Sequence, residues 1–138
     1  MAAVSAKQAK VAVGAEAELV FTVTPADTAI SMGSGRRDVL ATPAVVAKME
    51  AAAQKVFDFH APPDHESVGT LISVEHSSMT PVGETVRIVA RVTAVEKRTV
   101  TFEIDAFDTS GHIAHGSHER ILAPSRTFLA LMASLNKK

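Results

Sequence analysis

The chain has 138 residues, 46% hydrophobic and 21% charged, with no Cys, which is the size and make-up of one globular domain, 1–138, rather than two. Lys and Arg number 14 against 15 Asp and Glu, a formal charge of -1, so the basic excess of a nucleic-acid-binding surface is missing. Without Cys there are no disulfides, thiolate metal sites or Cys nucleophile, which fits a reducing cytoplasm and leaves Thr, Ser, His and carboxylates as the available chemistry.

The start of the chain, Met1 to Gly14, is rich in Ala and Val but interrupted by Lys7, Gln8 and Lys10, so it lacks the apolar run of about 7–15 residues of a signal peptide. No stretch approaches the roughly 18 apolar residues of a membrane span. The expectation is a soluble, cytoplasmic protein with no membrane or nucleic-acid partner, whose residues 1–14 are flexible.

Alternation from Ala17 to Thr24, with Leu19, Phe21 and Val23 on one side, predicts a strand that Pro25 ends. Asp27 to Ala41 has no sustained period and reads as a mobile surface loop. Thr42-Pro43 then opens a helix to about Phe57, with Thr42 as N-cap and Pro43 at the first helical position. Val45, Val46, Met49, Ala52, Ala53, Val56 and Phe57 form its apolar face. Glu50 breaks the pattern, about 40° from Val46 and about 20° from Phe57, at the edge of the apolar stripe.

Val68 to His76 predicts a strand with Thr70, Ile72, Val74 and His76 facing the core. Glu84 to Val95 follows, with Val86, Ile88, Ala90, Val92 and Ala94 inward; then Thr99 to Phe107, with Val100, Phe102, Ile104 and Ala106 inward; then His112 to Ala123 before Pro124. Residues 125–136 suit a short C-terminal helix opened by Ser125. One long helix with an apolar face and five strands joined mostly by short turns predict an α+β domain, an antiparallel sheet wrapped on a helix.

Three residues stand where chemistry can occur. Thr42 sits at a helix start, where free N–H groups and the helix dipole stabilise an oxyanion. His76 ends an inward strand face and can take a proton, and Glu50 can orient a base. Taken singly, Thr42 is an N-cap, Glu50 an ion-pair partner at an interface and His76 a structural histidine; their joint occurrence raises the chemical reading. About 12 Å of helix axis separates Thr42 from Glu50, so His76 or the substrate lies between them, or the two work from different subunits. Arg36 and Arg37 are candidates to grip phosphates, although loop arginines are usually only solvated. His112, His115 and His118 are three apart, so that in a regular strand His115 points away from the other two. That spacing matches no recognised metal motif, and no metal is expected.

The element order, with Ala41-Thr42-Pro43 through Met49-Glu50, Gly69-Thr70 through His76, and Gly116-Ser117-His118-Glu119-Arg120, resembles the fluoroacetyl-CoA thioesterase-like branch of the hotdog thioesterases from about Val13 to Leu122. The resemblance implies a hotdog fold and hydrolysis of an acyl-CoA thioester. It implies Thr42, Glu50 and His76 as the catalytic group, with Gly69 and Arg120 lining the acyl pocket. It also implies a homodimer or higher oligomer with active sites at the subunit interface, and no cofactor, CoA entering as part of the substrate. The chemistry agrees, since a thiol with pKa near 8.5 leaves readily as thiolate and oxyanion stabilisation matters more than a strong acid. Whether Thr42 attacks directly, or Glu50 acts as base or nucleophile while Thr42 positions water, stays open.

One departure concerns specificity. The fluoroacetyl-specific enzymes carry an aromatic-bearing lid before the Thr, whereas no aromatic occurs here between Phe21 and Phe57. A short or medium acyl group is therefore expected rather than fluoroacetyl. Two rival readings are a non-catalytic acyl-CoA-binding protein, which would not need Thr42, Glu50 and His76 together, and an enoyl-thioester hydratase or dehydratase. The latter is expected to carry Asp followed five residues later by His, but five after Asp38 comes Pro43.

Overall fold

The computed structural model describes residues 11–136. Strand β1 (Glu16–Thr22), a one-turn helix α1 (Ala29–Met32), the long helix α2 (Thr42–His60), strands β2 (His65–His76), β3 (Thr85–Glu96), β4 (Thr99–Asp108) and β5 (Gly111–Pro124), and helix α3 (Ser125–Asn136) follow in that order. The strands form one antiparallel sheet, β1-β3-β4-β5-β2, with β2 at an edge. Helix α2 packs on one face, giving the α+β sheet wrapped on a helix that the sequence predicts and the hotdog arrangement that the resemblance implies. Among the described residues no helix is long and apolar enough to cross a membrane.

The 3.6-residue period of α2 meets the two-residue period of the sheet in one core. Val45, Met49, Val56 and Phe57 are buried from the helix, and Val86, Ile88, Phe102 and Ile104 from the sheet. At about 1.5–3 kcal/mol for each large apolar side chain removed from water, this layer is the main source of stability. Ala52 and Ala53 are fully buried, so the helix is slim where it crosses the strands, and Phe57 meets Phe102 edge to face with ring centroids 5.6 Å apart.

Three departures from simple alternation matter. In β2 the register shifts between Gly69 and Leu71, so Thr70 is a bulge residue, exposed and bonded through its hydroxyl to Glu119 O at 3.2 Å, not a core residue as predicted. The extra residue returns Gly69 to the helix-facing side, which plain alternation denies it. In β3 a shift between Val92 and Ala94 turns Ala94 out to solvent. In the β4–β5 pair, Ala106 faces Ala114 but Phe107 faces His112. Ile113 and Ala114 are therefore both buried, and the face of His112 is exchanged.

The segment before α2 is not an unstructured loop. Thr28 caps α1 by accepting from Ser31 N, Gly33 closes it at φ 73°, the bridge Thr28–Leu40 closes the segment on itself, and the bridge Val39–Pro81 ties it to the body. Buried Thr28 and Leu40 are the anchors that its irregular pattern concealed. Of the predicted flexible start, residues 1–10 lie outside the described residues. Residues 11–14 are attached, with Val11 against the core and Gly14 N–H bonded to Val92 O at 2.9 Å. Helix α3 forms over the predicted range.

Candidate active site

The first residue of α2 is Thr42 itself. Ala41, with extended backbone (φ -76°, ψ 144°), is the N-cap, and no side chain caps the helix. Thr42 is thus not the N-cap that the sequence predicts. Its hydroxyl is turned outward to the last residue of β2, where Oγ1 lies 2.8 Å from His76 Nδ1. Pro43 has no N–H and Ala44 N–H turns back to Ala41 O at 3.0 Å. The amide of Thr42 is the donor left in the first turn.

His76 Nε2 is buried without a hydrogen-bond partner among the described residues. Burial pushes the imidazole below its ordinary pKa, a backbone group of Ser78 opposing weakly, so the ring is neutral at pH 7. A cleft of about 260 Å³ opens beside the pair, lined in part by Leu40, Ala41, Ser77, Ser78 and Met79. Arg36 and Arg37 are exposed and outside this lining, on the segment whose Ser34 and Val39 belong to it.

Glu50 does not join Thr42 and His76 within one chain. Two turns further along α2, it forms a second cluster with β2 and β5. Its Oε2 is 3.7 Å from Arg120 Nη1, and a Cβ added to Gly69 would stand 2.7 Å from that oxygen. Only glycine at the bulge lets the carboxylate approach the strand. Arg120 is 7% exposed and fully engaged: Nε donates to Ser67 Oγ at 3.0 Å, Nη2 to Gln54 Oε1 at 3.2 Å, and Nη1 to His118 Nε2 at 3.2 Å. Burial lowers the guanidinium pKa and Glu50 opposes that, leaving the group charged at neutral pH.

Gln54 and Ser67 were not singled out from the sequence, and His118 was considered there only with His112 and His115 as a metal ligand and as part of the segment from Gly116 to Arg120. His118 is 1% exposed, and its Nδ1–H donates to Leu71 O at 2.7 Å. That bond fixes the tautomer, leaving Nε2 with the lone pair that accepts from Arg120. Burial is the largest influence and lowers its pKa. The signal was present, since Gly116, His118 and Arg120 alternate on the inward side of β5. The site therefore has two parts: a hydroxyl–imidazole pair beside a cleft, and a carboxylate–guanidinium group seated on a glycine.

Known proteins are similar to this chain in sequence and in fold. Residues 23–126 match the sequence profile of the family described as fluoroacetyl-CoA-specific thioesterase. Over 93 residues, 67% of each chain, the protein is 34% identical to fluoroacetyl-CoA thioesterase of Streptantibioticus cattleyicolor. It superposes on a thioesterase superfamily member from Thermus thermophilus with TM-score 0.84 and 27% identity, covering 91% of this chain and 93% of that one. A phenylalanine-to-alanine variant of the fluoroacetyl-CoA-specific thioesterase FlK, solved with fluoroacetate and CoA, gives TM-score 0.76 and 30% identity, covering 86% and 99%. The chain belongs to the fluoroacetyl-CoA-specific thioesterase family, hotdog-fold enzymes that hydrolyse acyl-CoA thioesters.

Proposed function

We propose that the protein hydrolyses a short or medium acyl-CoA thioester to the free acid and CoA, with Thr42 as nucleophile and His76 as its base, in a site completed across a homodimer. The observation that carries this reading is the 2.8 Å contact between Thr42 Oγ1 and His76 Nδ1. With the ring proton on Nε2, the hydroxyl donates to Nδ1, and an imidazole kept neutral by burial accepts that proton as Oγ1 attacks the thioester carbonyl. The C–S bond breaks, the thiolate of CoA takes the proton from the imidazolium, and water then hydrolyses the acyl-Thr42 ester with His76 again as base. The Thr42 amide at the start of α2 supports oxyanion charge. No cofactor is needed, since CoA enters with the substrate.

Glu50 reaches this pair from the partner subunit. Gly69, seated on Glu50, and His76, bonded to Thr42, lie on the same edge strand. A two-fold pairing of two β2 edges about the midpoint between them sets Gly69 of one copy against His76 of the other. Glu50 of the partner subunit then stands beside the nucleophile, which a single helix cannot achieve. The small residues Ala29, Ser34, Ala41 and Ser77 around the cleft suit an acyl group held without an aromatic clamp. Arg36 and Arg37, exposed on the same segment, are placed to meet the phosphates of CoA.

The test is free-thiol release from a panel of acyl-CoAs, acetyl through branched and phenylacetyl to long chains, with Thr42→Ala and His76→Ala as controls. Turnover lost in both variants, and an acyl adduct on Thr42 detected by mass in rapidly quenched wild type, support the reading. Saturable acyl-CoA binding with no thiol release would instead identify a binding protein.

A further inference from the structure

The face of the sheet turned away from α2 carries a second polar cluster that the thioesterase site does not use. Asp105 Oδ1 lies 2.8 Å from His112 Nε2 and 2.9 Å from His115 Nδ1. One ligand atom from each of Asp105, His112 and His115 falls within 4.8 Å of the others. Regular alternation would put His112 and His115 on opposite faces; the irregular β4–β5 register, with Ile113 and Ala114 both buried between them, brings the two imidazoles to one side.

His115 is bonded at both ring nitrogens to carboxylates, Nε2 to Glu103 Oε1 at 2.7 Å and Nδ1 to Asp105. A neutral imidazole has one donor and one lone pair. One of these contacts therefore sets a lone pair against an acceptor unless a cation lies between them. Glu103 is itself fixed by Ser117 Oγ at 2.7 Å, and the ring of His112 is held edge-on to Phe107, centroids 5.3 Å apart. An imidazole oriented by a carboxylate on its far nitrogen, with its near nitrogen beside a second His and an Asp, is the arrangement that surrounds bound transition metals.

We propose that Asp105, His112 and His115 bind one divalent transition-metal ion of the Zn(II), Co(II) or Ni(II) class, with Glu103 as the outer carboxylate that orients His115. Two imidazoles and one carboxylate match the ligand preference of these ions, leaving further positions to water. Bond lengths of about 2.0–2.1 Å in a tetrahedral site require ligand atoms about 3.3 Å apart. Asp105 Oδ1 stands a few tenths of an ångström inside that spacing from each imidazole nitrogen, and the two imidazoles are within 4.8 Å of each other. They are 39–45% exposed, so an ion enters from solvent without opening the core. The site is separate from the catalytic one: on β5, Ala114 pairs with His76 through the sheet while His115 faces the other side beside Glu75.

Untagged, metal-free protein is titrated with Co(II), followed by visible absorption and calorimetry, and then with Zn(II) as competitor. One equivalent per chain is expected, with affinity at least about tenfold weaker in His112→Ala and in His115→Ala, and about 10–100-fold weaker in Glu103→Gln. His60→Asn and His65→Asn, elsewhere on the surface, leave it unchanged. Melting curves identify any variant that fails to fold, and the exposed His112 provides the second variant should His115→Ala do so. Absence of saturable one-equivalent binding, the outcome if a proton alone bridges the cluster, overturns the proposal. Binding that survives both histidine substitutions overturns it as well.

Discussion

Gly69 and Glu50 stand so close that a Cβ on the glycine would lie 2.7 Å from the carboxylate oxygen, and 3.1 Å from His118 Cε1. The bulge at Thr70 turns this position toward α2, and the missing side chain lets the Glu50–Arg120 group rest on the strand. Gly69→Ala is expected to fold, because the nearest obstruction is the end of a flexible side chain. The displaced carboxylate should nonetheless lower thioester hydrolysis at least about tenfold, or about 1.4 kcal/mol of transition-state stabilisation. Steady-state rates beside melting curves test it; an unchanged rate would remove Glu50 from the proposed catalytic group.

Burial holds the His76 pKa below its ordinary value, and that direction sets the pH profile. The base form persists below pH 6.5, so kcat/KM for the acyl-CoA should reach its plateau by neutrality. Its acid limb should have an apparent pKa under about 6.5, the value of an unperturbed imidazole. A limb centred above that value would mean either that His76 is not depressed by burial or that another group controls the rate.

His118 makes a separate pH prediction, for stability rather than rate. Burial depresses its pKa; the Leu71 carbonyl raises it, the Arg120 charge lowers it and Glu50 raises it. Because the folded pKa is below the unfolded one, the unfolded chain binds more protons in the window beneath about pH 6.5. The stability contribution is complete above that value and is lost as pH falls through the window. His118→Gln, which keeps one donor and one acceptor but cannot charge, should lose less stability than wild type on acidification. Urea midpoints at about pH 7.5 and 5.5 decide it; equal losses would show that His118 does not carry the effect.

Much of this was legible in the sequence. Alternation around Phe102 and Ile104, and the helical stripe from Val45 to Phe57, required the core that is observed. The Thr42–His76 pair followed from a helix start and an inward strand end. The bulges were not legible, because a single extra residue leaves composition and local period almost unchanged while reversing every face beyond it. Thr70 was misassigned for that reason, and His112 and His115 looked unrelated. The segment from Thr28 to Leu40 looked like a loop because its order comes from two isolated bridges and two buried side chains, with no repeating pattern. Arg120 and His118 lay on a readable inward face, but the bonds of Arg120 to Ser67 and Gln54 join residues 53 and 66 positions apart, and that of His118 to Leu71 residues 47 apart, which no local pattern reports.

The two-part site makes subunit exchange decisive. Glu50 and the Thr42–His76 pair are apart within one chain, and the edge strand carries both clusters. If the partner subunit supplies Glu50, Glu50→Ala and His76→Ala are each inactive as homodimers, yet a heterodimer of the two has one intact site. Unfolding the two variants together and refolding them at equal concentration should produce about half heterodimers, each with one working site of two, and so recover about a quarter of wild-type activity. Sedimentation of the wild type must show a dimer or higher assembly for the argument to hold. If mixing restores nothing while the subunits demonstrably exchange, Glu50 acts within its own chain. The 3.7 Å pair with Arg120 would then be its working contact, and the roughly 12 Å of helix between Thr42 and Glu50 would have to be spanned by the bound thioester.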